Sequence, residues 1–213
     1  VGISSESFTL KADTFAGGLN LSWSDCGENG DEDKTFVCAS NEGSRFTVVG
    51  SFIAPSRISQ FLGAAADLRV ESKVAELPDW WKFGTSQCRS SGFGVDFNFT
   101  DGYDACEDFT AGRAAGGYVY EIGQHGPNSA RIRIQYAVPI DSRGPLTAGQ
   151  EYYAFKLKIP RTRTTGIPSC AGCSEPVNIT LREIQLFQPA ELHNDPVIET
   201  VAPPRPAPLP PRK

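Results

Sequence analysis

Hydrophobic and polar residues alternate along much of the chain, and this alternation predicts β-strands. Between Glu151 and Ile159 Tyr153, Phe155, Leu157 and Ile159 fall on one side, while Lys156 and Lys158 fall on the other. Successive side chains of a strand point to opposite faces, so such a segment buries one face and exposes the other. The same pattern predicts strands at residues 46–52, 64–70, 93–99, 130–138 and 177–186.

Signals for helix are short by comparison. One helical turn is predicted at residues 56–62, after Pro55, and another at the small residues 111–115. Neither segment is long enough to organise a fold. The sequence therefore predicts an all-β protein, a jelly-roll-like antiparallel β-sandwich.

Composition divides the 213 residues into one predicted domain, residues 1–200, and a proline-rich tail, residues 201–213. The tail contains six of the sixteen prolines, and because proline fixes φ and lacks an N–H, we expect an extended segment without helix or sheet. It is interpreted either as a linker or as an arm that docks on a neighbouring copy, and residues 1–12 are predicted to supply a terminal strand for such contacts. The predicted assembly residues of the tail are Pro203, Pro204, Arg205, Pro206, Pro208, Pro210, Pro211 and Arg212.

The charge of the chain is unevenly distributed. Residues 1–200 contain 17 of the 20 Lys and Arg and all 25 Asp and Glu, a formal charge of −8, whereas the tail carries +3. An acidic body argues against nucleic acid as a partner and favours attraction between the tail and the body of another copy. Apolar runs of about 18 residues, which would span a membrane, do not occur.

Six cysteines indicate an oxidised, extracytoplasmic protein with three disulfides. They occur as three local couples, Cys26 with Cys38, Cys88 with Cys106 and Cys170 with Cys173, and sequential pairing is the simplest of 15 connectivities. The Cys170 to Cys173 couple is interpreted as a staple at a hairpin tip, because a redox dithiol needs a helix N-terminus. A chain that begins at Val1 and lacks Met fits a mature exported protein, although a trimmed chain would look the same.

Two resemblances extend this interpretation. The segment from Pro145 to Phe155, with the later Leu181 to Leu186, resembles the last hairpin of galactose-binding-like and carbohydrate-binding jelly-roll modules. Most of the chain is similar to uncharacterised secreted bacterial proteins, through the elements Leu77-Pro78-Asp79-Trp80-Trp81, Cys88-Arg89, Pro127-Asn128-Ser129-Ala130-Arg131, Glu151-Tyr152-Tyr153 and Cys170-Ala171-Gly172-Cys173. The first resemblance implies a fold and the second implies export.

Two groups of residues are candidate binding sites. Trp80 and Trp81 would stack on sugar rings if exposed, although adjacent strand residues point to opposite faces and a core position for both is the competing interpretation. The acidic stretch after Trp23 offers oxygen ligands for calcium on a glycine-rich loop, and a solvated acidic loop is the alternative. The predicted calcium ligands are Asp25, Glu28, Asp31 and Asp33, with a weaker group at Asp101, Asp104, Glu107 and Asp108.

The motifs of familiar enzymes are lacking, so we expect no catalytic activity, and calcium at the acidic loop is the one candidate cofactor. His125 and His193 are interpreted as surface residues without a nucleophile elbow. The leading hypothesis is an extracellular structural subunit, of the filament or surface-layer type, whose terminal segments contact neighbouring copies. A secreted carbohydrate-binding module is the alternative, and an unrecognised secreted hydrolase ranks last.

Overall fold

A computed structural model describes residues 18–90 and 92–200. Within these residues the regular elements are strands and single turns of 3-10 helix, and no α-helix is present. The strands are β1 Gly18–Trp23, β2 Phe46–Ile53, β3 Gly63–Ser72, β4 Gly94–Asp96, β5 Ala115–Ile122, β6 Ser129–Ala137, β7 Glu151–Ile159, β8 Val177–Phe187 and β9 Val197–Glu199. The tail and the proposed terminal strand, residues 201–213 and 1–12, lie outside the described residues.

The strands form two antiparallel sheets that pack as a sandwich, which confirms the predicted fold class. One sheet has the order β1-β2-β7-β4 and the other the order β5-β6-β3-β8-β9. Most neighbours are distant in sequence, as in β2 with β7 and β3 with β8, so the chain crosses repeatedly between the sheets in the manner of a jelly roll. The predicted helical turns at residues 56–62 and 111–115 are wrong, since both segments form turns and extended chain.

Alternation places one side of each long strand in the core between the sheets. Leu68, Ile132 and Ile184 come from the five-stranded sheet and meet Phe52 and Leu157 from the other, all at most 1% exposed. Burial of side chains of this size contributes roughly 1.5–3 kcal/mol each. The hydrophobic pattern thereby fixes which face of each sheet remains outside.

The outer face of the four-stranded sheet is closed by a second, small cluster. Val49 and Tyr153 lie on this outer face, and the loop between β4 and β5 covers them with Phe99 and Cys106. Tyr153 stacks on Phe99 with ring centroids 4.3 Å apart. This sheet is therefore covered on both faces, whereas no segment of residues 18–90 or 92–200 covers the outer face of the five-stranded sheet.

The disulfides connect distant parts of the chain, so the sequential pairing is wrong. The bonds are Cys26–Cys106, Cys38–Cys173 and Cys88–Cys170, with Cα separations of 6.4, 6.0 and 6.0 Å. The Cys170 to Cys173 segment is consequently no local staple, because each of its cysteines binds a different loop. Together the two bonds at this segment hold three otherwise irregular loops against one end of the sandwich.

Two glycines allow three strands to approach closely at the end of β6. A Cβ built on Gly63 would lie 2.1 Å from the carbonyl oxygen of Tyr136, and one on Gly116 would lie 2.1 Å from that of Gln135. Gly63 also has φ of +148°, a conformation that other residues rarely adopt. These positions on β3 and β5 therefore require glycine for the observed sheet.

Candidate binding surface

Trp80 and Trp81 lie in the core, 0% and 4% exposed. They form a 3-10 turn, Asp79–Trp81, rather than a strand, so both rings turn inward to meet Phe36 and Phe83. Neither indole presents a face to solvent. The hypothesis that these residues form a sugar-stacking platform is therefore wrong, and their competing interpretation as core residues fits the structure.

A buried arginine organises this aromatic cluster. Arg89 is 2% exposed, and its guanidinium lies 3.7 Å from the ring centroid of Trp80. It donates hydrogen bonds to the carbonyl oxygens of Trp80, at 2.9 Å, and Pro160. Burial lowers the pKa of Arg89 to about 10. Carbonyl dipoles and aromatic ring faces thus hold the Arg89 guanidinium, so Arg89 has a structural role.

The acidic loop does not converge on a common point. Asp25 accepts hydrogen bonds from the Cys26 N–H and the Tyr153 hydroxyl, both at 2.8 Å, while Asp31 pairs with Lys34 at 3.3 Å. Glu28, Asp31 and Asp33 are exposed. In residues 18–90 and 92–200 the single group of three or more potential metal ligands is Cys26, Cys106 and Glu151. The two cysteines form a disulfide, so the geometry does not support the predicted calcium site.

Lys156 forms a polar cluster beneath the loop that covers the four-stranded sheet. Its ammonium group lies 4.3 Å from the ring centroid of Tyr103 and 3.5 Å from Asp96, and burial lowers its pKa. Burial alone would raise the pKa of Asp96, but hydrogen bonds from Lys158 and the Asn98 N–H, with the charge of Lys156, lower it to about 2. Burial raises the pKa of Tyr153 to about 12. The cluster holds the loop that covers this sheet in place.

The open outer face of the five-stranded sheet, here called the polar face, carries the most accessible array of polar groups. The register places Gln135, Ala65 and Gln185 in one row across β6, β3 and β8. The adjacent row contains Arg133, Asp67 and Glu183. Gly117 and Val119 of β5 extend the two rows to the sheet edge.

Ion pairs cover the polar face, two of them between neighbouring strands and one within β3. Arg131 donates to Asp67, with Nε 2.6 Å from the carboxylate, and Arg133 lies 3.1 Å from Glu121. Arg69 pairs with Glu71 at 2.6 Å. Between these charges and the end of the sheet lies an open depression of about 650 Å³, with Ala65, Gly117 and Ala137 among its lining residues.

The outer edge of β5 offers backbone groups that pair with no other described residue. The Gly123 N–H donates to the Ser129 carbonyl at 2.8 Å, which fixes the alternation of the β5–β6 ladder. Residues 117, 119 and 121 consequently face β6, whereas the N–H and C=O groups of Gly116 and Tyr118 point away from it. All residues from Ala115 to Val119 are exposed, and this stretch lacks charge, proline and bulge, the usual protections of a sheet edge.

The described chain begins at Gly18 and ends at Thr200. The strands next to these two junctions lie on the side of the sandwich opposite the β5 edge. β1 is the edge of its sheet, β9 is the edge of the other, and these two strands contact each other. β5 and β4 form the other pair of edges. The exposed β5 edge and the strands at both junctions, β1 and β9, therefore lie on opposite sides of the sandwich.

The polar face and the β5 edge were not predicted from the sequence. Arg131, Arg133 and Gln135 alternate with buried residues in a predicted strand, so their outward orientation follows from the pattern. Their proximity to Gln185 depends on the crossover that brings β8 beside β3. Residues 115–119 gave no strand signal because glycine and alanine replace the β-branched residues that such predictions rely on.

Comparisons with known proteins returned no match among family models, curated proteins or solved structures. Within the residues that the structure describes, no helix has the length and apolar character needed to cross a membrane. The three disulfides indicate an oxidising environment.

Proposed function

We propose that the protein is a non-catalytic extracellular structural subunit that associates head to tail with copies of itself through its terminal segments. The observation that carries this proposal is the exposed β5 edge, which lies opposite the side where both terminal segments begin. An edge with free N–H and C=O groups accepts an added strand. Donor and acceptor on opposite sides give a heterologous contact, which propagates into a filament unless it closes into a ring.

The proposed donor is the N-terminal segment of a neighbouring copy. Residues from Ser7 to Lys11 alternate polar and apolar side chains, with Phe8 and Leu10 on one side. Residues 1–17 precede β1 and span at most about 60 Å when extended. This length exceeds the roughly 20 Å width of a five-stranded sheet, so the segment is long enough to reach the β5 edge of a neighbouring copy. A segment of the same molecule would have to pass across the sandwich to reach β5, whereas a neighbour's segment approaches the edge directly.

The proline-rich tail would contribute a different contact. Its prolines lack the N–H groups that a central strand needs, so strand addition is assigned to the N-terminal segment. The charge of +3 on the tail against −8 on residues 1–200 favours docking on the acidic body of a neighbour.

A matched pair of substitutions tests strand addition at β5. The Tyr118 N–H points away from β6, so Tyr118→Pro removes a free donor without breaking the intramolecular ladder. Tyr118→Ala removes the same ring but keeps the N–H. We expect the full chain and Tyr118→Ala to form concentration-dependent oligomers in sedimentation velocity, and Tyr118→Pro and a chain lacking residues 1–12 to remain monomers.

Two results would contradict the proposal. The full chain could remain monomeric at the highest concentration it tolerates, or Tyr118→Pro could assemble as Tyr118→Ala does. A chain lacking residues 201–213 separates the contribution of the tail from that of strand addition at β5. Loss of the tail should weaken assembly most at low salt, where its charges are least screened.

A further inference from the structure

The depression on the polar face arises from small side chains. Ala65, Ala115, Gly117 and Ala137 have no atoms beyond Cβ, whereas long side chains such as Arg133 and Glu183 stand beside them. The result is an open depression of about 650 Å³ with methyl groups at its base and polar groups at its border. No described loop covers it, in contrast to the outer face of the four-stranded sheet.

Two glutamines face each other across the base of this depression. Gln135 and Gln185 are the register partners of Ala65 on its two sides, about 10 Å apart because neighbouring strands lie about 4.8 Å apart. Among the described residues, the side-chain hydrogen bonds of this face are made by Arg69 and Arg131 and involve neither glutamine amide. Each amide has two N–H donors and a carbonyl acceptor, the combination that adjacent hydroxyl groups of a sugar require.

The arginines around the depression are already paired, whereas Glu183 has no ion pair among the described residues. Arg131 pairs with Asp67, Arg133 with Glu121, and Arg69 with Glu71. An anionic ligand would have to compete for one of the paired arginines and would be repelled by Glu183, whereas a neutral polar ligand would use the free amides. Charge therefore disfavours an anionic ligand, and the free amides suit an uncharged, hydroxyl-rich one.

We propose that this depression binds a neutral polysaccharide. Hydroxyl groups of the ligand exchange hydrogen bonds with Gln135 and Gln185, and the carbon face of one sugar ring lies on the Ala65 methyl group. The open shape accepts an internal segment of a long chain, because the depression has no end wall that would demand a chain terminus. This site is separate from Trp80 and Trp81 and does not depend on assembly of the protein.

Affinity electrophoresis of the full chain tests the proposal. The gels contain xylan, glucomannan or mixed-linkage β-glucan, with alginate and polygalacturonate as anionic probes, and cellulose and chitin are tested by pull-down. The variants are Gln135→Ala/Gln185→Ala, which removes both amides, and Ala65→Phe, which fills the depression. Gln124→Ala, an exposed glutamine in the β5–β6 turn, is the matched control.

We expect at least one neutral polysaccharide to bind the full chain and Gln124→Ala equally. The double glutamine variant should bind it at least about tenfold more weakly, the effect of losing two hydrogen bonds, and Ala65→Phe should abolish binding while circular dichroism remains unchanged. The proposal is overturned if no neutral polysaccharide binds, if the double variant binds as well as the control, or if binding is confined to the anionic probes and disappears with salt.

Discussion

Removal of the Cys38–Cys173 disulfide should cost less stability than its separation of 135 residues indicates. The three disulfides and three short chain segments form one closed ring. The segments run from Cys26 to Cys38, from Cys170 to Cys173 and from Cys88 to Cys106, which are 12, 3 and 18 positions, 33 in total. While the other two bonds remain, the unfolded chain still connects Cys38 to Cys173 through this 33-residue path.

Loop-closure entropy converts this path into a free energy. A loop of 33 residues corresponds to about 3.7 kcal/mol, whereas an isolated loop of 135 residues would correspond to about 5.0 kcal/mol. The same ring contains all three bonds, so each single removal should lower the free energy of unfolding by about 3.7 kcal/mol. A second removal should then cost about 4.2–4.5 kcal/mol, because the shortest loop that the second bond closes is about 53 residues when Cys26–Cys106 is lost first and about 80 residues in the other orders.

Guanidinium unfolding followed by tryptophan fluorescence measures these costs. The variants are Cys38→Ala/Cys173→Ala, Cys26→Ala/Cys106→Ala and Cys88→Ala/Cys170→Ala, compared without reductant. Equal losses, with a larger loss for the second bond removed, would agree with the ring. The reasoning is refuted if the losses match isolated loops, about 5.0 kcal/mol for the Cys38–Cys173 variant and about 4.5 kcal/mol for each of the other two.

Three further predictions concern single side chains. Asp96→Asn should lower the free energy of unfolding at pH 7 by about 1 kcal/mol after allowance for solvent screening. Because the folded pKa of Asp96 is depressed from 3.8 to about 2, this contribution is complete above pH 3.8 and disappears as the pH falls through 2, which urea unfolding at both ends of this range would show. Gly63→Ala should cost at least about 2 kcal/mol because its Cβ meets the Tyr136 carbonyl, whereas Gly117→Ala, with nothing within 4 Å, should be nearly neutral in the same thermal unfolding assay. Arg89→Lys should cost about 2–3 kcal/mol, since an ammonium group cannot both stack on Trp80 and reach two carbonyls; unchanged unfolding would show that the guanidinium geometry is unimportant.

Strand positions were largely predictable because burial imposes a period of two. The prediction for residues 151–159 agrees with β7 at both ends, and five further predicted strands overlap β2, β3, β4, β6 and β8. The strands that the sequence did not predict, β1, β5 and β9, lack a clear alternation of large apolar and polar residues. β5 is rich in small residues, β9 has only three, and β1 combines Gly18 with polar residues that bond to partners across the sheet, as Asn20 does with Glu151.

The candidate sites were predicted less well because they depend on contacts between distant residues. Paired tryptophans have the same sequence signature whether they are exposed or buried, and the 3-10 turn at Asp79–Trp81 decides between these outcomes. A run of carboxylates in the sequence does not reveal that Asp25 accepts a hydrogen bond from the Tyr153 hydroxyl. Gln135 and Gln185 become neighbours of Ala65 through strand order, which local pattern does not encode.

The ring of disulfides also bears on how the oxidised protein is made. The local couples, 12, 18 and 3 positions apart, have the highest effective concentrations in a reduced chain, so their thiols collide first. None of these couples is a native bond. Oxidation should therefore proceed through early incorrect bonds that must exchange before the sandwich closes, and a disulfide isomerase should accelerate maturation of this protein more than a simple oxidant does.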